Sequence, residues 1–267
     1  MGGTGAIVDA FSTLMAEVGI EVRLTTTVES VVVESGTAKG VRLESGEQLD
    51  ADVVVSNADP AFLYDRMVPK SAQTLPVRLK RRQAKLSMGL FVLFFGTRKT
   101  YLDVAHHTIW LGKRYRELLQ EIFHGSTLPD DFSLYLHRPT ATDPSFAPDG
   151  CDSFYVLVPV PNLRAQIDWD KEGPLLQERI VRALGASLLP GLEDQITADF
   201  FMTPQDFADD YLSVAGAGFS VAPLFRQSAW FRFHNRAEGP KNLYLVGAGT
   251  HPGAGLPGVL CSAKVLD

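Results

Sequence analysis

The chain has 267 residues, 45% hydrophobic and 21% charged, which excludes a disordered polymer and allows one or two packed cores. Its formal net charge of −6 and isoelectric point near 5.5 argue against nucleic acid as the main partner. Mean hydropathy is +0.03, on the apolar side for a soluble protein, yet no run reaches the roughly 18 apolar residues of a spanning helix.

Residues 5–18 place Ile7, Val8, Phe11, Leu14, Met15 and Val18 at helical spacing, and Gly19 closes the helix. Alternation over 20–24 predicts a strand. Strands follow over 28–33 and 38–43, divided by a turn at Gly36. Ser45-Gly46 turns the chain into a short strand over 47–50, and 51–56 reads as a buried strand. Asp59-Pro60 breaks the pattern, because a residue before proline avoids the helical region. A helical stretch over 61–67 follows, and the passage into a second domain is placed here. Arg78, Lys80, Arg81, Arg82 and Lys85 make 77–85 a basic helix. It either meets anionic lipid headgroups or is a solvated face.

The run Leu90-Phe-Val-Leu-Phe-Phe95 predicts a strand buried on both faces or lining an apolar cavity. The next strand, 105–110, carries His106 and His107, which alternation sends to opposite faces. They cannot share a site without a bulge, and no H-x-x-x-H occurs, so no metal is expected. Residues 115–123 are a helix with Leu118, Leu119, Ile122 and Phe123 at its spacing. Phe132, Leu134 and Leu136 share one face of a strand, 138–150 is a proline-rich surface loop, and 153–160 is a further apolar strand. Three such strands imply one mixed or antiparallel sheet with an apolar face. Residues 170–188 form an amphipathic helix through Leu175, Leu176, Ile180, Leu184 and Leu188, and 195–202 is a strand. Thr203-Pro204 starts a helix that runs to about Tyr211. Aromatic and basic residues cluster over 230–236. Cys151 and Cys261 form no C-x-x-C and read as reduced thiols in a cytosolic setting, with Cys261 a small buried apolar group. No signal peptide is visible at the start of the chain.

The apolar strand 243–246 feeds Gly247-Ala-Gly-Thr-His-Pro-Gly-Ala-Gly-Leu-Pro-Gly258, and a helix begins at Pro257 or Gly258. This arrangement brings backbone N–H groups and a positive helix end to an anion or an electron-rich ring edge. An ordinary tight loop has the same spacing. G-x-S-x-G, H-E-x-x-H and P-loop strings do not occur, so acyl transfer, metal-assisted hydrolysis and phosphoryl transfer lack support.

The string from Leu243 to Val259 resembles the C-terminal flavin signature of bacterial-type phytoene desaturases, FAD-dependent carotenoid desaturases of the amine-oxidase-like flavoprotein superfamily. Gly2-Gly-Thr-Gly-Ala6, Ser56-Asn-Ala-Asp59, Ala105-His-His-Thr108, Tyr115-Arg-Glu-Leu118, Asp131-Phe-Ser-Leu-Tyr-Leu-His137, Asp152-Ser-Phe-Tyr-Val156 and Ser228-Ala-Trp-Phe-Arg232 resemble the same family. The likeness runs from Gly2 to Lys264 and covers the C-terminal half of a typical member. No G-x-G-x-x-G follows a strand near the start, so a fragment is expected, unstable or inactive alone because the strands near Ala51 and Leu243 lack sheet neighbours.

The resemblance implies an α/β fold with α+β character. A partial FAD-binding Rossmann-type domain, 1–59 and 237–267, is interrupted by a substrate-binding domain, 60–236, with a mixed or antiparallel sheet. FAD would be held by Val28 against the adenine and by Asn57 and Ala58 at a strand end. The loop residues Gly247, Ala248, Gly249, Thr250 and His251 would contact it, as would Gly255, Leu256, Pro257, Gly258 and Val259. Ala248 stands where amine oxidases of the wider superfamily carry Asp or Glu for the ribityl hydroxyls, which favours the desaturases.

The implied reaction removes hydrogen from a C–C single bond of a C40 precursor such as phytoene, towards lycopene, with quinone or oxygen as the terminal acceptor. A lipophilic polyene implies an apolar tunnel and a cytoplasmic protein attached peripherally to the membrane. Tunnel candidates are Phe91, Phe94, Phe95, Phe132, Leu134 and Phe154, with Leu90 and Val156 beside them. Each also reads as sheet core. Trp230 and Arg232 are further candidates. No acid–base catalyst is assigned. Two alternatives stand: a non-catalytic fragment or binding module lacking the dinucleotide-binding half, and another FAD-dependent amine-oxidase-like oxidoreductase.

Overall fold

The computed structural model describes residues 2–266. Its elements, in chain order, are α1 (Gly3–Glu17), β1 (Val28–Glu34), β2 (Thr37–Leu43), β3 (Gln48–Asp50), β4 (Val54–Ser56) and α2 (Pro60–Phe62), which continues as a wider turn over Leu63–Met67. Then come α3 (Leu75–Gln83), β5 (Gly89–Thr97), β6 (His107–Trp110), α4 (Tyr115–His124), β7 (Leu134–His137), β8 (Asp152–Val160) and α5 (Trp169–Gly185). The chain closes with α6 (Leu192–Gln195), β9 (Ile196–Met202), α7 (Pro204–Asp210), β10 (Leu243–Leu245) and α8 (Leu256–Lys264). Contacts divide them into two compact units. The sheet unit takes the chain up to Arg23 and Gly89–Gln205, and the loop unit takes Leu24–Met88 and the chain from Asp206 onward.

The sheet unit is built on five antiparallel strands in the order β6-β7-β8-β5-β9. β5 and β8 pair over their full length, from Gly89↔Val160 to Thr97↔Asp152. Strand alternation then sorts their side chains. Phe91, Leu93 and Phe95 of β5 and Phe154, Val156 and Val158 of β8 are buried in one cluster with Leu176, Ile180 and Leu184 of α5. The helix residues recur every four positions, so they share one stripe. Phe91 stacks on Phe201 at 5.2 Å and on Trp169 at 6.4 Å between ring centroids. Burying a side chain of this size contributes about 1.5–3 kcal/mol. The buried Asp152 accepts from Tyr101 N–H at 2.7 Å, Arg138 Nε at 3.0 Å and Thr140 Oγ1 at 2.6 Å, so the charge is paired and hydrogen-bonded.

The loop unit holds an antiparallel β1-β2-β3 meander and a parallel pair, β4 with β10, in register Leu243↔Val54 to Leu245↔Ser56. Its core gathers Val31, Leu63, Tyr64, Val77, Phe233 and Leu245. Thr74 caps α3 by accepting from Val77 N–H at 3.5 Å, and Val77 is the one residue that helix buries.

Several expectations are corrected. Residues 20–24 form no strand, and Ile20, Val22 and Leu24 are exposed; alternation without a ladder partner does not make a strand. In 51–56 only Val54 is buried, while Val53 and Val55 are each 52% exposed. The strands near Ala51 and Leu243 pair with each other in a sheet of two strands, so β4 has no second ladder partner among the described residues. The helical stretch expected after Asp59-Pro60 is present and starts one residue earlier, at Pro60, where Asp59 Oδ1 accepts from Ala61 N–H at 2.8 Å and Phe62 N–H at 3.3 Å. Leu175 and Cys261 are exposed. The contact-defined units also divide at different points from the two sequence-defined domains. Leu63, Tyr64, Val77 and Phe233 share a core with β4 and β10, so 60–88 and 206–236 pack with the glycine loop, while Gly89–Gln205 belongs to the sheet unit. The stretch before Arg23 packs with the sheet.

Candidate functional site

β10 ends where Gly247 takes φ +101, a conformation that favours glycine. Its N–H donates to Ser262 Oγ of α8 at 2.8 Å. Side chains are excluded by contact as well. A Cβ on Gly247 would lie 2.2 Å from Asn57 Oδ1, and one on Gly249 would lie 2.3 Å from Pro60 Cδ and 2.8 Å from Ser220 Oγ. Thr250 Oγ1 donates back to Gly247 O at 2.9 Å. The amide nitrogen of buried Asn235 lies 3.2 Å from Leu245 O, 3.0 Å from His251 O and 3.2 Å from Ser262 O. One side chain thus ties the strand end, the loop and the helix together.

α8 begins after Gly255 with no side-chain cap. Its first N–H groups have no acceptor within the helix, and the positive end of the dipole lies among exposed Leu256 and Pro257. Arg232 is buried, and its Nη2 donates to Ala248 O at 2.6 Å. Burial lowers the Arg232 pKa, and the charge of Asp59 opposes this. Burial raises the Asp59 carboxyl, against hydrogen bonds from Ser220, Ala61 and Phe62 and the charge of Arg232. His251 Nδ1 is buried with no partner among the described residues. Val28 opens β1 and is half-buried; Asn57 and Ala58 directly follow β4.

The sheet unit offers a second feature, on the face of β5 and β8 turned away from α5. Phe94 stacks on Phe200 at 4.6 Å and meets Tyr155 at 5.8 Å; Tyr135 meets Tyr155 at 5.6 Å. Phe94, Tyr155 and Phe200 border a cavity of about 860 Å³, lined further by Ile7 and Phe146. Burial, with Tyr135 bonded beside it, pushes the Tyr155 phenol up to about 12, so it stays neutral.

Among the tunnel candidates Phe94 faces this cavity, and Phe95 and Phe154 border it while packing in the core. Phe91 and Leu134 lie in the α5 core with Leu90 and Val156 also buried, and Phe132 packs at the core margin. Trp230 is 70% exposed in the loop unit, and Arg232 braces the glycine loop. Tyr155 and Phe200 escaped the sequence reading, although strand parity with Phe154 and Phe201 would have found them. Asn235 and Ser262 escaped it too. The contacts that close the loop reach backbone groups 10 to 27 residues away, a relation with no local signal.

The opposite-face argument for His106 and His107 is corrected. β6 begins at His107, so His106 is not held to strand alternation. The two rings lie 4.3 Å apart and both meet His137.

A family described as flavin containing amine oxidoreductase matches residues 1–264. The chain belongs to that family. It is 50% identical to a phytoene desaturase (lycopene-forming) of Pseudescherichia vulneris, over 98% of this chain and 54% of that protein. It is 46% identical to a phytoene desaturase (neurosporene-forming) of Rhodobacter capsulatus, over 100% of this chain and 52% of that protein. The chain spans about half the length of the curated relatives it matches. A solved oxidoreductase of Methanosarcina mazei shares the fold, with a TM-score of 0.64 at 18% identity over 99% of this chain and 54% of its own. The flavin of this family fits the loop unit: the open space beside Gly255, the uncapped start of α8 and the orphaned His251 Nδ1 offer close backbone approach and unspent polar groups.

Proposed function

We propose that this chain serves the FAD-dependent desaturation of a C40 carotenoid precursor such as phytoene, towards lycopene. The observation that carries the reading is identity of 46% and 50% over essentially the whole chain to proteins named phytoene desaturases. The aromatic cavity of the sheet unit supports it, because seating a polyene needs apolar surface and few polar groups. FAD, when bound, supplies the acceptor for the hydride leaving the substrate.

The chain's own residues have distinct duties in this reading. Gly247, Ala248, Gly249 and Thr250 let backbone approach the cofactor, with Gly255, Leu256, Pro257, Gly258 and Val259 continuing the cradle. The N–H groups at the start of α8 stabilise negative charge at the ring edge. Val28, Asn57 and Ala58 contribute at the strand ends, His251 offers its free ring nitrogen, and Arg232 holds the loop through Ala248 O. Phe94, Tyr155 and Phe200 orient the polyene and exclude water.

The reading includes peripheral attachment of a cytoplasmic protein to an anionic membrane, with quinone or oxygen taking the electrons. Phe225, Trp230 and Phe231 are exposed in the loop unit, and Phe225 and Phe231 share a cavity wall with Lys80, Lys85 and Arg226. Aromatic rings beside cations suit a headgroup layer. Among the described residues no helix is long and apolar enough to cross a membrane. A second reading, a binding portion that acts only with a further polypeptide segment, is favoured by the exposed Ile7, Phe11 and Leu14 of α1.

The test is flavin absorbance of the purified chain after incubation with FAD and gel filtration, followed by phytoene turnover in liposomes. Retained flavin with new conjugated polyene supports desaturation. Retained flavin without turnover favours the binding portion. A folded chain that retains no FAD overturns desaturation by this chain alone and favours the portion that needs a further segment.

A further inference from the structure

We propose that His106, His107 and His137 form a binding site for one divalent cation of the zinc class at the β6 edge of the sheet unit. The ladder builds it. His107 of β6 stands directly opposite His137 of β7, and the backbone holds His106 beside them by accepting from Arg138 N–H at 2.9 Å. Ligand nitrogens of the three rings all lie within 4.8 Å of one another. Ring centroids are 4.3 Å apart for His106 and His107, 4.8 Å for His106 and His137, and 5.4 Å for His107 and His137.

The outer partners fit ligation. His106 Nδ1 is bonded to Thr142 Oγ1, and His107 Nδ1 to Tyr135 OH at 2.6 Å. With each Nδ1–H donating to a hydroxyl oxygen, each Nε2 keeps its lone pair, the arrangement that orients metal-bound imidazoles. His106 Nε2 and His137 Nε2 are 2.8 Å apart. Zn–N bonds of about 2.0–2.1 Å in tetrahedral geometry separate two nitrogens by about 3.3 Å, so a small opening of this pair admits the ion. A shared proton between His106 and His137 accounts for that one contact, but not for the third ring or for the buried His137 Nδ1, which has no partner among the described residues.

The donor set chooses the ion. Three neutral imidazoles with no carboxylate among them suit Zn²⁺, and also Ni²⁺ or Cu²⁺, over Mg²⁺ or Ca²⁺. Three protein ligands leave a fourth position open, and His106 and His137 also border the aromatic cavity. An ion here would tie the edge strand β6 to β7 beside that cavity.

The experiment is Zn²⁺ titration of the tag-free chain in competition with a chromogenic chelator, repeated with Co²⁺ to read visible absorption. The expected result is one equivalent bound, nitrogen-type tetrahedral Co²⁺ bands, and at least ten-fold weaker binding in His107→Gln and in His137→Gln. Tyr135→Phe should weaken binding about ten-fold through the lost ring support, and His124→Gln, an exposed histidine on α4, should leave it unchanged. Absence of stoichiometric binding overturns the proposal, as does binding that His107→Gln leaves intact. His107 is exposed, so its variant carries the test even where His137→Gln fails to fold.

Discussion

The sheet unit and the glycine loop hold their shapes by different means. In β5 and β8, shape follows from repetition: alternate residues pack on α5, and any one ring is a member of a layer. In the loop between β10 and α8, shape follows from single residues that cannot be exchanged. Gly247 and Gly249 admit no Cβ, and Asn235 and Ser262 close the loop through backbone groups. A periodic region tolerates averaging over many contacts, whereas an aperiodic one is specified residue by residue. Substitutions should therefore separate stability from cofactor binding according to the region they fall in.

The largest expected effect tests the layer itself. Phe91→Ala should cost about 3–5 kcal/mol in urea unfolding, as buried aromatic truncations do. Phe94→Ala, three residues away on the other face of the same strand, should cost under about 1 kcal/mol while raising the KM for the polyene in liposome assays. Equal losses of stability would mean that the second face is core as well, and the cavity would lose its functional meaning.

The loop makes the converse prediction. Gly249→Ala should cost about 1–3 kcal/mol of local strain, because Pro60 or the loop must move. FAD retention on gel filtration should fall by far more than the unfolding midpoint of the sheet unit. A variant that keeps its flavin would show that the backbone does not approach the cofactor here.

This contrast also explains what could be read in advance. β1, β2, β5, β8 and α5 were legible because each repeats a period that burial enforces, whereas α1 keeps its helical spacing with no residue buried. The same rule failed over 20–24, where alternation exists but no strand lies alongside, and at His106, one residue before the strand begins. The glycine loop was legible as a loop from its composition, and the resemblance supplied its role. Asn235 and Ser262 were not legible, because a buried polar residue is defined by partners that only the folded chain brings near. The open face of the sheet was half legible: Phe94 was named, but the parity that separates it from Phe91 and Phe95 was not applied.

The smallest effect probes how dry the loop unit's own core is. Tyr64 is 2% exposed, its ring meets Phe233 at 6.0 Å, and its hydroxyl accepts from Glu238 N–H at 3.0 Å. Burial pushes its phenol up to about 12 from the ordinary value of 10.0. Between those values the unfolded chain ionises while the folded chain stays protonated, so the folded state binds more protons. Stability must then fall as pH rises through this window, by up to about 2–3 kcal/mol. Tyr64→Phe removes that alkaline loss and costs about 1 kcal/mol at neutral pH, where the Glu238 N–H loses its acceptor. The two unfolding curves should cross above pH 10. A difference that stays constant with pH would mean that water reaches the phenol, and that the loop unit is held by its polar ties more than by an apolar core like that of the sheet.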